Sequence, residues 1–308
     1  MLKKALAPSG VPVTTRHKKG FIFISIVKTA YNKAGLSEDE AQRVNDTPGL
    51  ADLVDSFIAS SRLSNRFANE EVASRYGYLS GYKPGVMDLD RQISEIQQLS
   101  EGIGGPNPDY LEKVKSGVIE LPESAEKWGA VPNWKKHPEI FGTNYNEAFQ
   151  KMLDLFEKSL KGKFCNNREG QLGQGYLRQT ERSVNFWQEL ANEQGNPDIL
   201  IVPIQFGKLH AGRSVRRAHD VFQINEFGLG ALATVALLMT HSERLQHCDD
   251  LWIDCAGDEY SPKADGDFYE ALYLYFLDGK VLLGANDVDR NSAYYGSVSG
   301  FLPDPLPQ

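Results

Sequence analysis

The stretch Ile199 to Phe206 is an apolar, β-rich run closed by Gly207, and it constrains the fold more than any other feature of the chain. Such a strand has no polar side to turn to water, so it must be covered on both faces and predicts a central strand in a layered structure. A second run, Phe227 to Met239, is 13 residues long and includes Thr234. It falls well short of the ~20 residues that span a bilayer and predicts a buried core helix.

The flanking segments supply further elements. Leu251 to Cys255 reads as a strand, and Ser297 to Leu302 as another. Ala271 to Leu277 and Val281 to Ala285 flank Asp278-Gly279, a dipeptide suited to a tight hairpin because both turn positions require positive φ. Upstream the signals are helical. Ser37 with Glu40 makes a capping box, Thr47-Pro48 and Asn107-Pro108 place a cap before a proline, and Met87, Ile93, Ile96 and Leu99 fall close to one helical stripe. Phe149, Met152, Phe156 and Leu160 predict a helix after a Thr143 cap, stopped by Gly162, and a second helix is expected from about Tyr176 to Gln194. The fold expected is α+β: a helical N-terminal half, then a mixed β-sheet with a buried apolar helix. Three regions are anticipated: a flexible basic arm (1–20), a mainly helical region (21–130) and an α+β region (131–308). The soft boundary lies in the Pro- and Trp-bearing stretch 117–142.

Composition excludes several classes. With 41% hydrophobic and 24% charged residues in 308, the chain is an ordinary globular protein and not a disordered one. Ala5 to Pro12 carries proline and glycine where a signal peptide needs an apolar core of ~7–15 residues, so a cytoplasmic protein with no membrane partner is expected. Cys165, Cys248 and Cys255 form no C-x-x-C pair and suit a reducing compartment. From Cys248 to Gln308 there are twelve Asp and Glu against three Lys and Arg, a net −9 that leaves the rest of the −8 chain at +1. Such an acidic end repels phosphates, which disfavours a nucleic-acid partner.

Two clusters carry candidate chemistry. Lys208, His210, Arg213, Arg216, Arg217 and His219 follow the apolar strand, with Gly207 and Gly212 among them. A glycine-bearing loop with guanidinium forks suits a phosphate or carboxylate, so Lys208, Arg213, Arg216 and Arg217 are the ligand-binding candidates and His210 a candidate general base. The alternative is that these cations pair internally with the acidic C-terminal segment. The second cluster is Asp254 on the strand with Asp258 and Glu259 in the following bend. An all-oxygen set of this kind would hold Mg²⁺ or Mn²⁺, or act as general acid and base. A solvated acidic edge is the plainer alternative. No Walker, dinucleotide, serine-elbow or zincin motif is present. The glycine-punctuated loop Cys165 to Gly175 would carry binding groups; the plainer alternative is that Arg178, Glu181 and Arg182 pair along a helix. Tyr273, Tyr275, Phe276, Tyr294 and Tyr295 suit β structure by propensity, with a sugar-stacking platform as the alternative.

The strings Gln205-Phe206-Gly207, Gly212-Arg213-Ser214-Val215-Arg216-Arg217, Asn225 to Gly230 and Leu251 to Glu259 resemble an uncharacterised bacterial protein family without an assigned activity, over about residues 199–302. The resemblance implies a bacterial source and no reaction. The expectation is therefore an enzyme or small-molecule-binding protein for an anionic, phosphate-bearing ligand, with a divalent metal. The rival expectation is a noncatalytic protein whose charges form a structural network or meet a protein partner.

Overall fold

A computed structural model describes residues 18–47, 50, 51, 53, 54, 58, 66–85, 88–99 and 101–303. Residues 1–17 of the expected basic arm, Pro48 of the Thr47-Pro48 cap, and Met87 lie outside the described residues. The chain forms two compact units, Met1–Ser61 and Arg62–Gln308. The first contains α1 (Lys18–Lys33) and α2 (Glu38–Asn45). The expected capping box starts α2: the Glu40 N–H donates to Ser37 Oγ and the Ser37 N–H to Glu40 Oε2 at 2.8 Å.

In the second unit, α3 (Leu89–Gln97) buries Leu89, Ile93 and Ile96, and α4 (Pro108–Lys115) starts where Asn107 accepts the N–H groups of Asp109 and Tyr110. Strand β1 (Lys127–Pro132) follows, paired over its whole length with β4, so the anticipated boundary near 130 falls inside a strand. The short α5 (Pro138–Phe141) leads to α6 (Tyr145–Ser159), which is capped by Asn144 and not Thr143; the Thr143 N–H instead donates to Glu147. Strands β2 (Phe164–Asn166) and β3 (Leu177–Gln179) precede α7 (Glu181–Glu193). The helix expected from Tyr176 thus begins five residues later, where Thr180 caps it by accepting the Ser183 N–H.

The apolar run of 199–206 becomes β4 (Ile199–Gln205), every residue buried, between β1 and β11 (Ser299–Phe301) in a four-stranded sheet of order β1-β4-β11-β5, with β5 (Glu226–Gly228) at its edge. Where β11 does not reach, the Gln194 side chain exchanges two hydrogen bonds with Ile201, at 2.7 and 2.9 Å, so the buried backbone is satisfied. Helix α8 (Val215–Val221) and strand β5 (Glu226–Gly228) follow. The run of 227–239 is divided: Phe227 lies in β5 and the apolar helix is α9 (Ala231–Thr240), buried except for Met239 and packed on β1, α3 and α6. Burial of each Leu or Val there contributes about 1.5–3 kcal/mol, which is why this helix needs no polar face.

The seven-stranded sheet holds β6 (Trp252–Asp254), β7 (Asp258–Tyr260), β8 (Glu270–Leu277), β9 (Lys280–Asp287) and β10 (Tyr295–Ser297) together with β2 and β3. The β8–β9 hairpin turns at Asp278 and Gly279, with φ of 50° and 77° as the dipeptide requires. The single strand expected at 297–302 is two. β10 pairs with β6 in one sheet, Val298 crosses over, and β11 (Ser299–Phe301) pairs with β4 and β5 in the other. No helix among the described residues is long and apolar enough to cross a membrane.

Candidate functional site

The basic loop is held by acids remote in sequence. Gly207, at φ 107°, turns the chain out of β4, and Ser214 caps α8 by accepting the Arg217 N–H. The Arg216 guanidinium grips both oxygens of Glu70, while Nε of Arg213 and of Arg217 each donate to Glu71 Oε1 at 2.8 Å. Ser214 Oγ also donates to Glu70, at 2.7 Å. Burial pushes both glutamates up, and the arginines and Ser214 outweigh it, holding Glu70 and Glu71 below the usual carboxylate range. Lys208 Nζ donates to the Tyr76 carbonyl at 2.9 Å. An anion at this loop would have to displace Glu70 and Glu71. Among the described C-terminal acids, Asp289 is the one within ion-pair distance of these arginines, 3.7 Å from Arg216.

His210 is buried between Glu226, at 2.7 Å from Nε2, and Arg213, whose Nη1 donates to Nδ1 at 3.0 Å. Both ring nitrogens are thereby engaged, with Nε2–H donating to the carboxylate. Glu226 also accepts from Ser299 at 2.5 Å; although burial pushes it up, His210 and Ser299 hold it below its ordinary value. His219 donates Nε2–H to the Ala256 carbonyl at 2.6 Å, and burial lowers its affinity for a second proton.

The three carboxylates of the acidic bend face different surroundings. Glu259 pairs across strands with Arg178, 2.6 Å away, and both are partly exposed. Asp258 accepts the Tyr145 hydroxyl at 2.8 Å and the Ala231 N–H of α9 at 2.6 Å. Burial pushes it up to about 7, partly offset by those two donors. Asp254 is buried with no hydrogen bond or ion pair to its carboxyl among the described residues, and desolvation pushes it up to about 8. Asp254, Asp258 and Glu259 therefore do not form the cation cage expected of them. Among the described residues the group of donors close enough to share an ion is His247, Cys248 and Asp249, all exposed. Its sulfur and nitrogen do not suit Mg²⁺ or Mn²⁺.

The two clusters meet at a surface groove of about 380 Å³, where Arg216 and His219 face Asp258 and Glu259 with Phe67 and Phe268 beside them. A more enclosed cavity of about 190 Å³ is lined by Trp134, Trp187, Gln179, Gln188, Lys135 and Tyr145, whose hydroxyl reaches Asp258. Its construction follows from local chemistry. The chain leaves β1 at Pro132, and Asn133 ties the turn to Asn196 and Pro197 at 2.9 and 3.0 Å, presenting Trp134. Trp187 projects from α7 and packs edge-on against Phe227. Gly257 permits the floor: a Cβ there would lie 2.3 Å from the Gly230 nitrogen, so only glycine lets the bend bring Asp258 to the start of α9. Lys136 is neutralised by Asp198 at 3.0 Å, whereas Lys135 makes no ion pair among the described residues and lies over the Trp134 ring.

Trp134, Lys135, Tyr145, Gln179 and Trp187 were not singled out by sequence reasoning, nor were Glu70 and Glu71. The adjacent Trp134-Lys135 in an otherwise irregular connection was the one local signal for the cavity. No protein-family model matches the chain, and comparison with curated proteins and with solved structures likewise returns no match.

Proposed function

We propose that this chain binds a small ring-bearing anion in the cavity between Trp134 and Trp187, and that Tyr145 with Asp258 forms a proton-exchanging pair at its wall. The observation that carries this reading is the Tyr145–Asp258 contact itself. A carboxyl pushed up to about 7 accepts the hydroxyl of a tyrosine that lines an aromatic-walled cavity. Near neutrality Asp258 exists in both protonation states, so it can take up or return a proton through the Tyr145 hydroxyl, the behaviour needed of a general acid and base. The indole faces suit a flat ring, the Gln179 and Gln188 amides suit its polar edge, and the ammonium of Lys135 suits a phosphate or carboxylate. An anionic ligand is thereby retained from the sequence expectation, but with Lys135 in place of Arg213, Arg216 and Arg217.

The second reading, a noncatalytic protein, is favoured by the basic loop, whose cations are satisfied by Glu70 and Glu71. The two separate in a thermal-shift series with nucleoside monophosphates, sugar phosphates and aromatic carboxylates. A binder at 100 times its Kd stabilises the native state by about 2.7 kcal/mol. The cavity reading expects at least one probe to raise Tm by several degrees, with the rise lost in Lys135→Ala and Trp187→Ala. No shift with any probe, or a shift unchanged in both variants, overturns it.

A further inference from the structure

The face of the seven-stranded sheet that bears Trp252 carries a second constellation, built from side chains that do not line the cavity just described. Trp252 of β6 contacts Tyr273, Tyr275, Tyr294 and Tyr295 with ring centroids 4.6–5.9 Å away. Side chains alternate along a strand, so Asp254, two residues beyond Trp252, projects from this same face. Its pairing agrees: Asp254 stands opposite Tyr273 on β8 and opposite Ser297 on β10, and Ser297 is two residues beyond Tyr295. Asp254 is 6% exposed and has neither a cation nor a hydrogen-bond donor among the described residues. Ser297, fully buried beside it, has an Oγ with no hydrogen-bond partner.

A desolvated carboxyl and a hydroxyl with no partner are each destabilising by about 1–3 kcal/mol or more, and a native fold keeps them side by side only where something else answers them. Aromatic faces attract organic cations, a carboxylate supplies the counter-charge, and a hydroxyl oxygen accepts an N–H. We propose that Asp254, Ser297 and the rings of Trp252, Tyr273 and Tyr295 form a binding site for an alkylammonium group that bears N–H donors. Binding converts a protonated Asp254 to its carboxylate, so the cation enters as a proton leaves. The titratable groups nearest Asp254 are Tyr273 of β8, Tyr295 of β10 and Cys255, the residue after β6; burial pushes all three up, and although the Arg290 charge acts on both tyrosines, all three keep their protons near neutrality.

Calorimetric titration of the full chain with n-butylammonium chloride at pH 7.5, in two buffers of different ionisation enthalpy and with sodium chloride as control, tests this. The expected result is saturable binding with more than about half a proton released per site. Asp254→Asn should abolish the proton release and weaken binding at least tenfold, and Tyr294→Ala, an exposed ring at the rim, should weaken it about threefold. Absence of binding by the folded wild type at 50 mM overturns the site. So does binding that is unchanged in Asp254→Asn, or that releases no proton. Tetramethylammonium bound as tightly as n-butylammonium overturns the hydrogen-bonding part played by Ser297.

Discussion

Asp254 and Asp258 sit on one short stretch of chain, and burial pushes both carboxyls up, to about 8 and about 7 from an ordinary 3.8. Their surroundings differ: Asp258 has two donors, Asp254 none. A folded value above the unfolded one means that each group's contribution to stability is full below about pH 4. It is lost as pH rises through 7 to 8, because the unfolded chain ionises first. Asp254→Asn should therefore match the wild type closely in urea unfolding at pH 4.5 and exceed it by several kcal/mol at pH 9. A difference that does not change with pH would contradict the buried, ionisable state of Asp254. Neither environment was legible from sequence. Period-two alternation along β6 puts Trp252 and Asp254 on one face, but does not reveal that tyrosines from β8 and β10 surround them there.

Elements were read most reliably where local chemistry is decisive. The Asp278-Gly279 hairpin, the Ser37 box and the Asn107 cap all form as their residues dictate, because each needs contacts spanning only a few positions. Elements were misread where one pattern served two structures. Tyr176 to Gln179 continues the helical spacing of α7, yet Leu177, Arg178 and Gln179 form β3 because they find partners in Tyr260, Glu259 and Asp258. The 227–239 run likewise splits at Gly228 to Gly230. There the β5–α9 junction meets the Ala256-Gly257 bend so closely that a Cβ on Gly257 would collide with backbone. Gly257→Ala should lower stability by about 2 kcal/mol or more and move the Asp258 carboxyl away from the Ala231 N–H. Chemical denaturation with the pH dependence of Tm measures both; a neutral substitution would show that the junction can open freely.

In the unit Arg62–Gln308 the chain passes from one sheet to the other several times, most abruptly at Val298, and the two sheets share one core. Ile201 of β4, Leu237 of α9 and Leu272 of β8 all belong to a single buried cluster. Such a unit should unfold cooperatively. Leu272→Ala, in the seven-stranded sheet, should lower the midpoint reported by far-ultraviolet circular dichroism and by tryptophan fluorescence together, with a loss of about 3 kcal/mol. Midpoints that separate would show the sheets melting independently. The sequence by itself determined the buried strand at 199–205, the apolar helix behind it, the β8–β9 turn and the two opposite charge clusters, because propensity, periodicity and turn geometry act over a few residues. Tertiary structure alone decided that Glu70 and Glu71, more than 140 positions away, neutralise the arginines, and that Asp258 reaches across to Tyr145. It alone left Asp254 unpaired beneath a wall of rings. Which charge meets which is set by contacts between distant segments, and no local pattern encodes them.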